Sequence, residues 1–335
     1  FNVHLAPSIP HAEYADALLA QLAISRAGFP PSPPATVFFG GGTPSLWAPG
    51  QLARVLDAIQ PVAGAEVTLE ANPEDADPQR WRQLARAGVN RLSLGAQSFE
   101  AGVLERLGRR HTPEDVVRAV DVAAAAGIER LSLDLIFAVP GQADWSGTLQ
   151  AALATGVGHV SAYALTIEPG TRFAAEGVTD AGEDAYVAMM RQAVRTLAAE
   201  GLERYEVSNY ARPGQRSRHN RLYWTSADWL GLGAGAWSHR AGRRWRTHRR
   251  PAEYMTDPAG VSEAEELDEA ARARERLMMG LRLVEGVAAP WVSTHEVSRL
   301  RAAGLLAADR GDGRIAATDR GFEVLDAVVA ALDGC

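Results

Sequence analysis

Val37-Phe38-Phe39-Gly40-Gly41-Gly42-Thr43-Pro44-Ser45 is the stretch that decides how this chain folds. Its apolar start is typical of a buried parallel strand. The glycines let the backbone come close to a ligand, because no Cβ stands in the way, and such a loop can present backbone N–H groups to a carboxylate or a phosphate. The alternative is a tight strand-to-helix turn that binds nothing.

Size and composition set the class of protein. With 335 residues, 47% of them apolar, the chain can bury one large core, or one large and one small core. The net charge of −7 argues against a general nucleic-acid binder, although residues 240–250 are rich in arginine. We find no signal peptide and no apolar run of membrane-spanning length, so we expect a cytoplasmic protein.

A helix that ends in glycine and runs into a strand recurs four times. The four segments begin at Ala87-Gly88, Ala126-Gly127, Thr155-Gly156 and Glu200-Gly201. Helical patterns precede them at 78–87, 113–126, 145–155 and 183–199, and strands are expected near 36–39, 67–70, 91–95, 131–136, 160–166 and 204–208. Helices alternating with strands indicate a parallel sheet with right-handed crossovers.

Polar residues lie at or just beyond the predicted strand ends. They are Glu70, Gln97, Asp134, Glu168 and Glu206. Each alone is also explained as a helix cap or a loop residue. Because the carboxyl ends of barrel strands form the ligand-binding face, all five together favour a partial barrel over an open doubly wound sheet.

The alternation of helix and strand stops near residue 209, so we predict one domain at 1–208 and a second at 209–335. Residues 209–255 are rich in Trp, Tyr, Arg, His and Gly, and the later part is mainly helical. Gly311-Asp312-Gly313 forms a turn like the wing of a winged-helix module. A plain α/β cap on the barrel is the alternative.

These motifs together resemble the radical S-adenosylmethionine (SAM) superfamily, in its coproporphyrinogen III dehydrogenase-like branch. The motifs are Phe39–Ser45, Glu70–Glu74, Gly88–Phe99, Leu107–His111, Asp134–Gln142 and Leu165–Thr171. The resemblance implies an α/β fold, a partial (β/α)6 TIM-like barrel with a smaller, mainly helical C-terminal domain. It also implies SAM and a [4Fe-4S] cluster as cofactors.

By the same resemblance, SAM would contact eight residues. They are Phe1, Gly41, Gly42, Thr43, Glu70, Gln97, Arg109 and Asp134. Arg109 suits the SAM carboxylate, because a guanidinium binds a carboxylate through two hydrogen bonds. A solvated surface arginine remains the alternative for that position.

The cysteines for the cluster are missing from this sequence. The family holds its cluster with Cys-x3-Cys-x2-Cys, whereas the one cysteine here is Cys335. In the family the last of these cysteines is commonly followed by Asp-Phe-Asn, and this chain starts with Phe1-Asn2. The resemblance therefore implies ligands just before Phe1, and the chain as given cannot hold the cluster.

Arg218-His219-Asn220-Arg221-Leu222-Tyr223-Trp224 resembles the His-Asn-x-x-Tyr-Trp signature of the HemW heme chaperones within that branch. The resemblance implies His219 as an axial ligand of heme iron, with Tyr223 and Trp224 as flat walls for the porphyrin. The alternative for His219 is a hydrogen-bonded structural histidine.

Three functions remain open at this stage. The first is a heme chaperone that binds heme and delivers it to respiratory heme proteins, with no need to turn over a substrate. The second is an oxygen-independent coproporphyrinogen III oxidase, and the third is a barrel enzyme that uses the glycine loop for a phosphate. Catalytic residues, a homodimer and membrane association through partners stay undetermined.

Overall fold

Strands and helices alternate along most of the chain in the computed structural model, which describes residues 9–29 and 32–334. The strands are β1 (Thr36–Phe39), β2 (Glu66–Ala71), β3 (Arg91–Gln97), β4 (Arg130–Phe137), β5 (His159–Ala164), β6 (Glu203–Arg204), β7 (Asn209–Ala211), β8 (Trp237–Arg240), β9 (Arg243–Thr247), β10 (Val261–Glu266), β11 (Val287–Ala288) and β12 (Arg314–Ile315). The helices are α1 (His11–Ser25), α2 (Pro49–Ile59), α3 (Pro78–Arg86), α4 (Ala101–Arg106), α5 (Pro113–Ala125), α6 (Trp145–Ala154), α7 (Arg172–Ala175), α8 (Glu183–Ala199), α9 (Arg218–Trp224), α10 (Pro251–Thr256), α11 (Glu269–Gly280), α12 (Thr294–Ala302), α13 (Asp319–Glu323) and α14 (Leu325–Asp333).

The chain divides into two compact units. The sheet unit comprises Phe39–Leu46 and Val67–Arg216, and the terminal unit comprises the described residues of Phe1–Phe38, Trp47–Glu66 and Ser217–Cys335. The division between residues 208 and 209 that we expect from the sequence stays a prediction.

The sheet unit confirms the α/β prediction. Its strands follow one another in the order β2-β3-β4-β5-β7-β6, and β2 to β5 are parallel. The order is linear, so within the described residues the sheet is open, as a partial barrel requires. Strands β1 to β5 and helices α3, α5, α6 and α8 lie where the sequence predicts them, within two residues.

Capping residues explain why the helices of the sheet unit begin and end where they do. At the start of α3, α5 and α6, a side chain accepts a hydrogen bond from a backbone N–H of the first turn. Those caps are Asp77, Thr112 and Asp144. Beyond each helix end stands a glycine with positive φ, the left-handed conformation that stops a helix. Those glycines are Gly88, Gly127 and Gly156.

The two faces of the parallel strands differ in polarity. Leu69, Leu92 and Leu131 are register partners on one face, and all three are buried. The next residue along each strand points to the opposite face, and the register partners there are polar. They are Glu70, Ser93, Ser132 and His159, on β2, β3, β4 and β5. A barrel interior usually holds branched apolar side chains, so this polar layer marks the face that carries chemistry.

The predicted sixth strand is shorter than expected, and the prediction of 204–208 is wrong. Strand β6 covers only Glu203–Arg204 and pairs antiparallel with β7, which in turn pairs antiparallel with β5. The Glu206 carboxylate accepts the Ser208 N–H at 3.1 Å and closes a turn that reverses the chain. Glu206 is therefore a buried turn residue.

Strands β8, β9 and β10 form an antiparallel sheet in the terminal unit. Three arginines of β9 form ion pairs with glutamates of β10. The pairs are Arg243–Glu266, Arg244–Glu265 and Arg246–Glu263. Much of the positive charge of the arginine-rich segment is therefore neutralised within this sheet.

The C-terminal tail consists of helix α12, strand β12 and helices α13 and α14. Strand β12 pairs antiparallel with β11, and Gly311 and Gly313 both take positive φ in the turn before β12. The winged-helix likeness of the tail stays a prediction. None of the helices formed by the described residues combines the length and the apolar character needed to cross a bilayer.

Candidate functional site

The glycine loop after β1 is open on its outer side. Gly41 has φ 82° and Gly42 has φ 65°, the left-handed region that favours glycine. Both are exposed, and a Cβ built on either would meet no atom of the described residues within 4 Å. Backbone conformation therefore demands these glycines, and no described residue fills the space above them.

Glu70 ties this loop to the end of β2. The Gly41 N–H donates to the Glu70 carboxylate at 2.9 Å. Burial raises the pKa of Glu70 above its ordinary value, the Gly41 hydrogen bond opposes this, and the negative charge of Asp134 raises the pKa further. A cation bound near both carboxylates would relieve their repulsion.

Asp134 lies within β4, not at its end as expected from the sequence. The Ser93 hydroxyl donates to its carboxylate at 2.8 Å, and the Ser132 hydroxyl lies 3.4 Å from it. Burial raises the pKa of Asp134, and hydrogen bonds from Ser161 and Ser93 oppose that rise. Serines on neighbouring strands therefore hold this carboxylate in one orientation.

A bulge at the end of β3 aims Gln97. Its φ of 62° lies in the left-handed region, which non-glycine residues rarely adopt, and the register with β4 shifts between Leu94 and Gln97. The Gln97 amide nitrogen would stand 2.8 Å from a Cβ at position 95, so Gly95 makes room for it. Strain of this kind is concentrated at functional sites.

Arg109 is half-buried, unlike the solvated surface arginine that the sequence left as an alternative. Burial lowers the pKa of Arg109, and the negative charge of Glu74 opposes that shift. Glu74 also lies 3.2 Å from Nδ1 of the buried His111, whose Nε2 is 3.0 Å from the Ala96 carbonyl. Glu74 and His111 thus link the segment after α4 to the end of β3.

Thr43 makes one long polar contact, in which its hydroxyl lies 3.5 Å from the Asn72 amide nitrogen. Phe1 lies outside the described residues. A cluster with three thiolates does not fit the chain, since Cys335 is the single cysteine of the sequence. The described residues also hold no group of three His, Cys, Asp or Glu side chains arranged for a metal.

Helix α9 carries the second candidate site, in the terminal unit. The buried Glu66 carboxylate accepts the N–H groups of Arg218 and His219 at 3.1 and 2.9 Å. The Ser217 hydroxyl accepts the Asn220 N–H at 3.2 Å. The first turn of α9 is thereby satisfied, and a carboxylate suits the positive end of a helix.

His219 is held on three sides. Its Nδ1 lies 2.9 Å from the Thr36 hydroxyl, its Nε2 lies 3.1 Å from the Tyr223 hydroxyl, and its ring stacks on Phe38 at 5.1 Å. Burial lowers the pKa of His219, and Glu66 opposes that shift. The neutral imidazole is therefore favoured, which is the form that binds metal ions.

Tyr223 lies one turn after His219 on the same face of α9, whereas Trp224 does not. The Arg282 guanidinium lies over the Trp224 ring, 5.8 Å from its centre. The structure thus brings Tyr223 to His219 and leaves Trp224 on a different face of the helix. The roles of Tyr223 and Trp224 as walls for a porphyrin stay predictions.

Two further rings extend the group that contains His219 and Tyr223. Trp229 packs edge-on against Tyr223 at 4.9 Å, and His239 stacks on Trp229 at 4.9 Å. We call Phe38, His219, Tyr223, Trp229 and His239 the ring row. The sequence analysis did not single out Phe38, Trp229 or His239 as ligand contacts. For Trp229 and His239 the one signal was the density of Trp, Tyr and His in residues 209–255, and for Phe38 there was none.

Comparison with known proteins gives a consistent family. Residues 23–149 match the Radical SAM superfamily. The chain is 37% identical over 335 residues to the heme chaperone HemW of Mycobacterium tuberculosis, covering 95% of this chain and 85% of that protein. It is 38% identical over 243 residues to the heme chaperone HemW of Escherichia coli, covering 70% of this chain and 64%, less than two thirds, of that relative.

The coproporphyrinogen III oxidase HemN of Escherichia coli, described as a radical SAM enzyme, shares the fold. The two structures superpose with a TM-score of 0.79 over 96% of this chain and 83% of HemN, at 18% sequence identity. At that identity the likeness shows the fold alone.

Proposed function

The chain belongs to the HemW heme chaperone family of the radical SAM superfamily, and from this premise we propose that it binds heme and delivers it to heme-requiring respiratory proteins. The observation that carries the proposal is the His-Asn-x-x-Tyr-Trp segment, which folds as α9 and presents a neutral His219 among aromatic rings. Neutral imidazole is a standard axial ligand of heme iron, and flat rings suit a porphyrin.

Heme binding requires one local change at His219. Both ring nitrogens are engaged, by Thr36 at Nδ1 and by Tyr223 at Nε2. If Nδ1–H donates to the Thr36 hydroxyl, the Nε2 lone pair accepts from the Tyr223 hydroxyl. Tyr223 must then release Nε2 before iron can bind it, while Thr36 keeps the ring oriented as an outer-shell partner.

SAM is the cofactor that the superfamily uses, and the edge of the sheet unit fits it. The half-buried carboxylates of Glu70 and Asp134 suit the positive charges of its sulfonium and ammonium groups. Arg109 suits the SAM carboxylate, and Gly41 and Gly42 leave room for the methionine moiety of SAM. SAM bound there would supply a sulfonium next to two carboxylates.

The [4Fe-4S] cluster of the superfamily has no ligand set in these 335 residues, and no step is assigned to it. A coproporphyrinogen oxidase activity is the less favoured function, because its support here is a structural likeness at 18% identity. The chaperone function requires neither SAM cleavage nor decarboxylation.

Hemin titration of the 335-residue chain and of His219→Ala tests the proposal by absorption spectroscopy. We expect a stoichiometric complex with the native chain. The variant should bind hemin at least about tenfold more weakly, since even outer-shell partners of a metal ligand affect affinity that much. His248→Ala is the matched control, because His248 lies outside the ring row and pairs with Asp257. Unchanged affinity and spectrum in His219→Ala would remove His219 from the site.

A further inference from the structure

His239 is the other histidine of the ring row, and it stands on β8 rather than on α9. It is 8% exposed, and its ring stacks on Trp229 with 29° between the planes. The backbones of Trp229 and His239 also exchange hydrogen bonds in both directions, at 2.9 and 3.0 Å. The imidazole is therefore fixed in position by both its strand and its stacking partner.

The two ring nitrogens of His239 have different surroundings. Nδ1 lies 3.2 Å from the Ala227 carbonyl and 3.6 Å from the Asp228 carboxylate, so it faces acceptors and carries the proton. In the neutral ring this leaves the lone pair on Nε2. Among the described residues Nε2 has no hydrogen-bond partner, and it is not one of the fully enclosed unpaired nitrogens.

This is the arrangement that proteins use to prepare a histidine for a metal. Such a histidine donates Nδ1–H to a backbone carbonyl or a carboxylate, which sets the tautomer and the ring orientation and leaves Nε2 for the metal. His239 has both kinds of acceptor at Nδ1. His219, in contrast, has its Nε2 covered by the Tyr223 hydroxyl.

The surface beside His239 suits a porphyrin. Trp237 lies two residues earlier on the same face of β8 and is 39% exposed. The Arg246 guanidinium lies over the Trp237 ring, 5.1 Å from its centre. An exposed aromatic face with a guanidinium next to it matches the apolar ring and the propionates of heme, although Arg246 also pairs with Glu263.

We propose that His239 Nε2 is a second ligand for heme iron, at the far end of the ring row from His219. The Nε2 lone pair forms the bond to iron, and a water or another weak ligand leaves, with no change in oxidation state. The inference rests on the proposed heme-binding function and extends it. Tyr223 and Trp229 connect the two histidines by ring contacts of 5.3, 4.9 and 4.9 Å.

The test is hemin titration of four proteins: the native chain, His219→Ala, His239→Ala and the double variant. Absorption and magnetic circular dichroism report the affinity and the type of ligand. We expect His219→Ala to keep a histidine-ligated complex, and the double variant to bind at least about tenfold more weakly than His219→Ala. Cys335→Ser serves as the background, which removes the single thiol as a competing ligand.

Two further proteins guard against a folding artefact. His239→Gln keeps a polar side chain in place of the imidazole, and added imidazole should restore the native spectrum of His239→Ala if only the ligand was lost. His248→Ala should behave like the native chain.

The outcomes separate the inference from the proposed function. If the native chain binds hemin and the double variant equals His219→Ala in affinity and spectrum, His239 is not a ligand and the heme-binding proposal survives. If the native chain binds no hemin, both are overturned.

Discussion

The edge of the sheet unit and the ring row of the terminal unit differ in the chemistry that they offer to a ligand. The sheet edge offers carboxylates, and the ring row offers aromatic and imidazole rings. At the sheet edge, burial and the negative charge of Asp134 raise the pKa of Glu70, and the two carboxylates are oriented by a backbone N–H and by serine hydroxyls. In the ring row, burial lowers the pKa of His219, and its ring stacks on Phe38. The first surface is prepared for a small cation with polar groups, and the second for a flat apolar ring. On our proposal, the first surface binds SAM and the second binds heme.

The largest expected effect comes from removing Glu66, the residue that supports the start of α9 and with it His219. Glu66→Ala removes the carboxylate that accepts the Arg218 and His219 N–H groups, so two backbone donors at the start of α9 lose their buried partner. We expect a loss of about 3 kcal/mol in the free energy of unfolding, together with loss of heme binding. Urea denaturation measures it, and Glu66→Gln, which keeps one acceptor oxygen, should lose less. A loss under about 1 kcal/mol in Glu66→Ala would contradict this account.

The next effect concerns the sheet edge. Glu70→Ala removes the acceptor of the Gly41 N–H and half of the carboxylate pair. A hydrogen bond to a charged group contributes about 1.5–3 kcal/mol, so SAM binding should weaken by about 10–100-fold. Calorimetric titration with SAM measures the change. Glu105→Ala, an exposed carboxylate on α4, is the control, and equal SAM affinity in both variants would exclude Glu70 from the site.

A pH effect is expected from the buried His159. Its nitrogens lie 2.6 Å from the Ser132 hydroxyl and 2.8 Å from the Tyr205 hydroxyl. Burial, followed by the positive charges of Arg91 and Arg130, holds the pKa of His159 well below its ordinary value. Because the unfolded chain takes up the proton near pH 6.5 and the folded chain does not, stability present above that pH is lost as the pH falls.

The slope from this one group approaches about 1.4 kcal/mol per pH unit below pH 6. His159→Gln should flatten the dependence of the unfolding free energy on pH between 7.5 and 5. Denaturation at several pH values measures it, with the half-buried His248 as the comparison in His248→Gln. Equal slopes in the native chain and in His159→Gln would show that His159 is charged in the folded state.

The smallest expected effect tests whether the Tyr223 hydroxyl covers Nε2 of His219. Tyr223→Phe removes the hydroxyl from Nε2 and keeps the ring in the row. Because one hydrogen bond contributes about 0.5–1.5 kcal/mol, heme binding should tighten by about two- to tenfold. Hemin titration measures the change. Weaker binding in Tyr223→Phe would mean that the hydroxyl supports the bound heme rather than covering the free nitrogen.

The sheet edge could be predicted from the sequence because strand alternation and glycine caps place its residues by local rules. Glu70 and Gln97 follow predictable strands, and neighbouring parallel strands bring their ends together. Asp134 was assigned to a strand end and instead lies within β4. The sequence shows where a strand forms, but the register with β3 decides how far along the sheet its residues stand.

The ring row could not be predicted, because its members come from distant segments. Phe38 lies within the apolar run before the glycine loop. His239 is two residues beyond Trp237, on a strand outside the region where helices and strands alternate in the sequence. The motif Arg218–Trp224 predicts His219, Tyr223 and Trp224 as heme contacts, and the structure places Trp224 on a different face of α9 from the other two. Helical periodicity explains the difference, since residues four apart share a face and residues five apart do not.

Heme transfer is the most direct test of the central claim. The 335-residue chain loaded with one hemin is mixed with a heme-free b-type cytochrome, and the cytochrome absorption is followed with time, with free hemin and hemin-loaded albumin run in parallel. The account predicts that the chain donates its heme fully and faster than albumin. The His219→Ala His239→Ala variant binds hemin more weakly, so it should take up less hemin and donate less. A native chain that binds no heme, or that keeps its heme in the presence of the acceptor, would contradict the account.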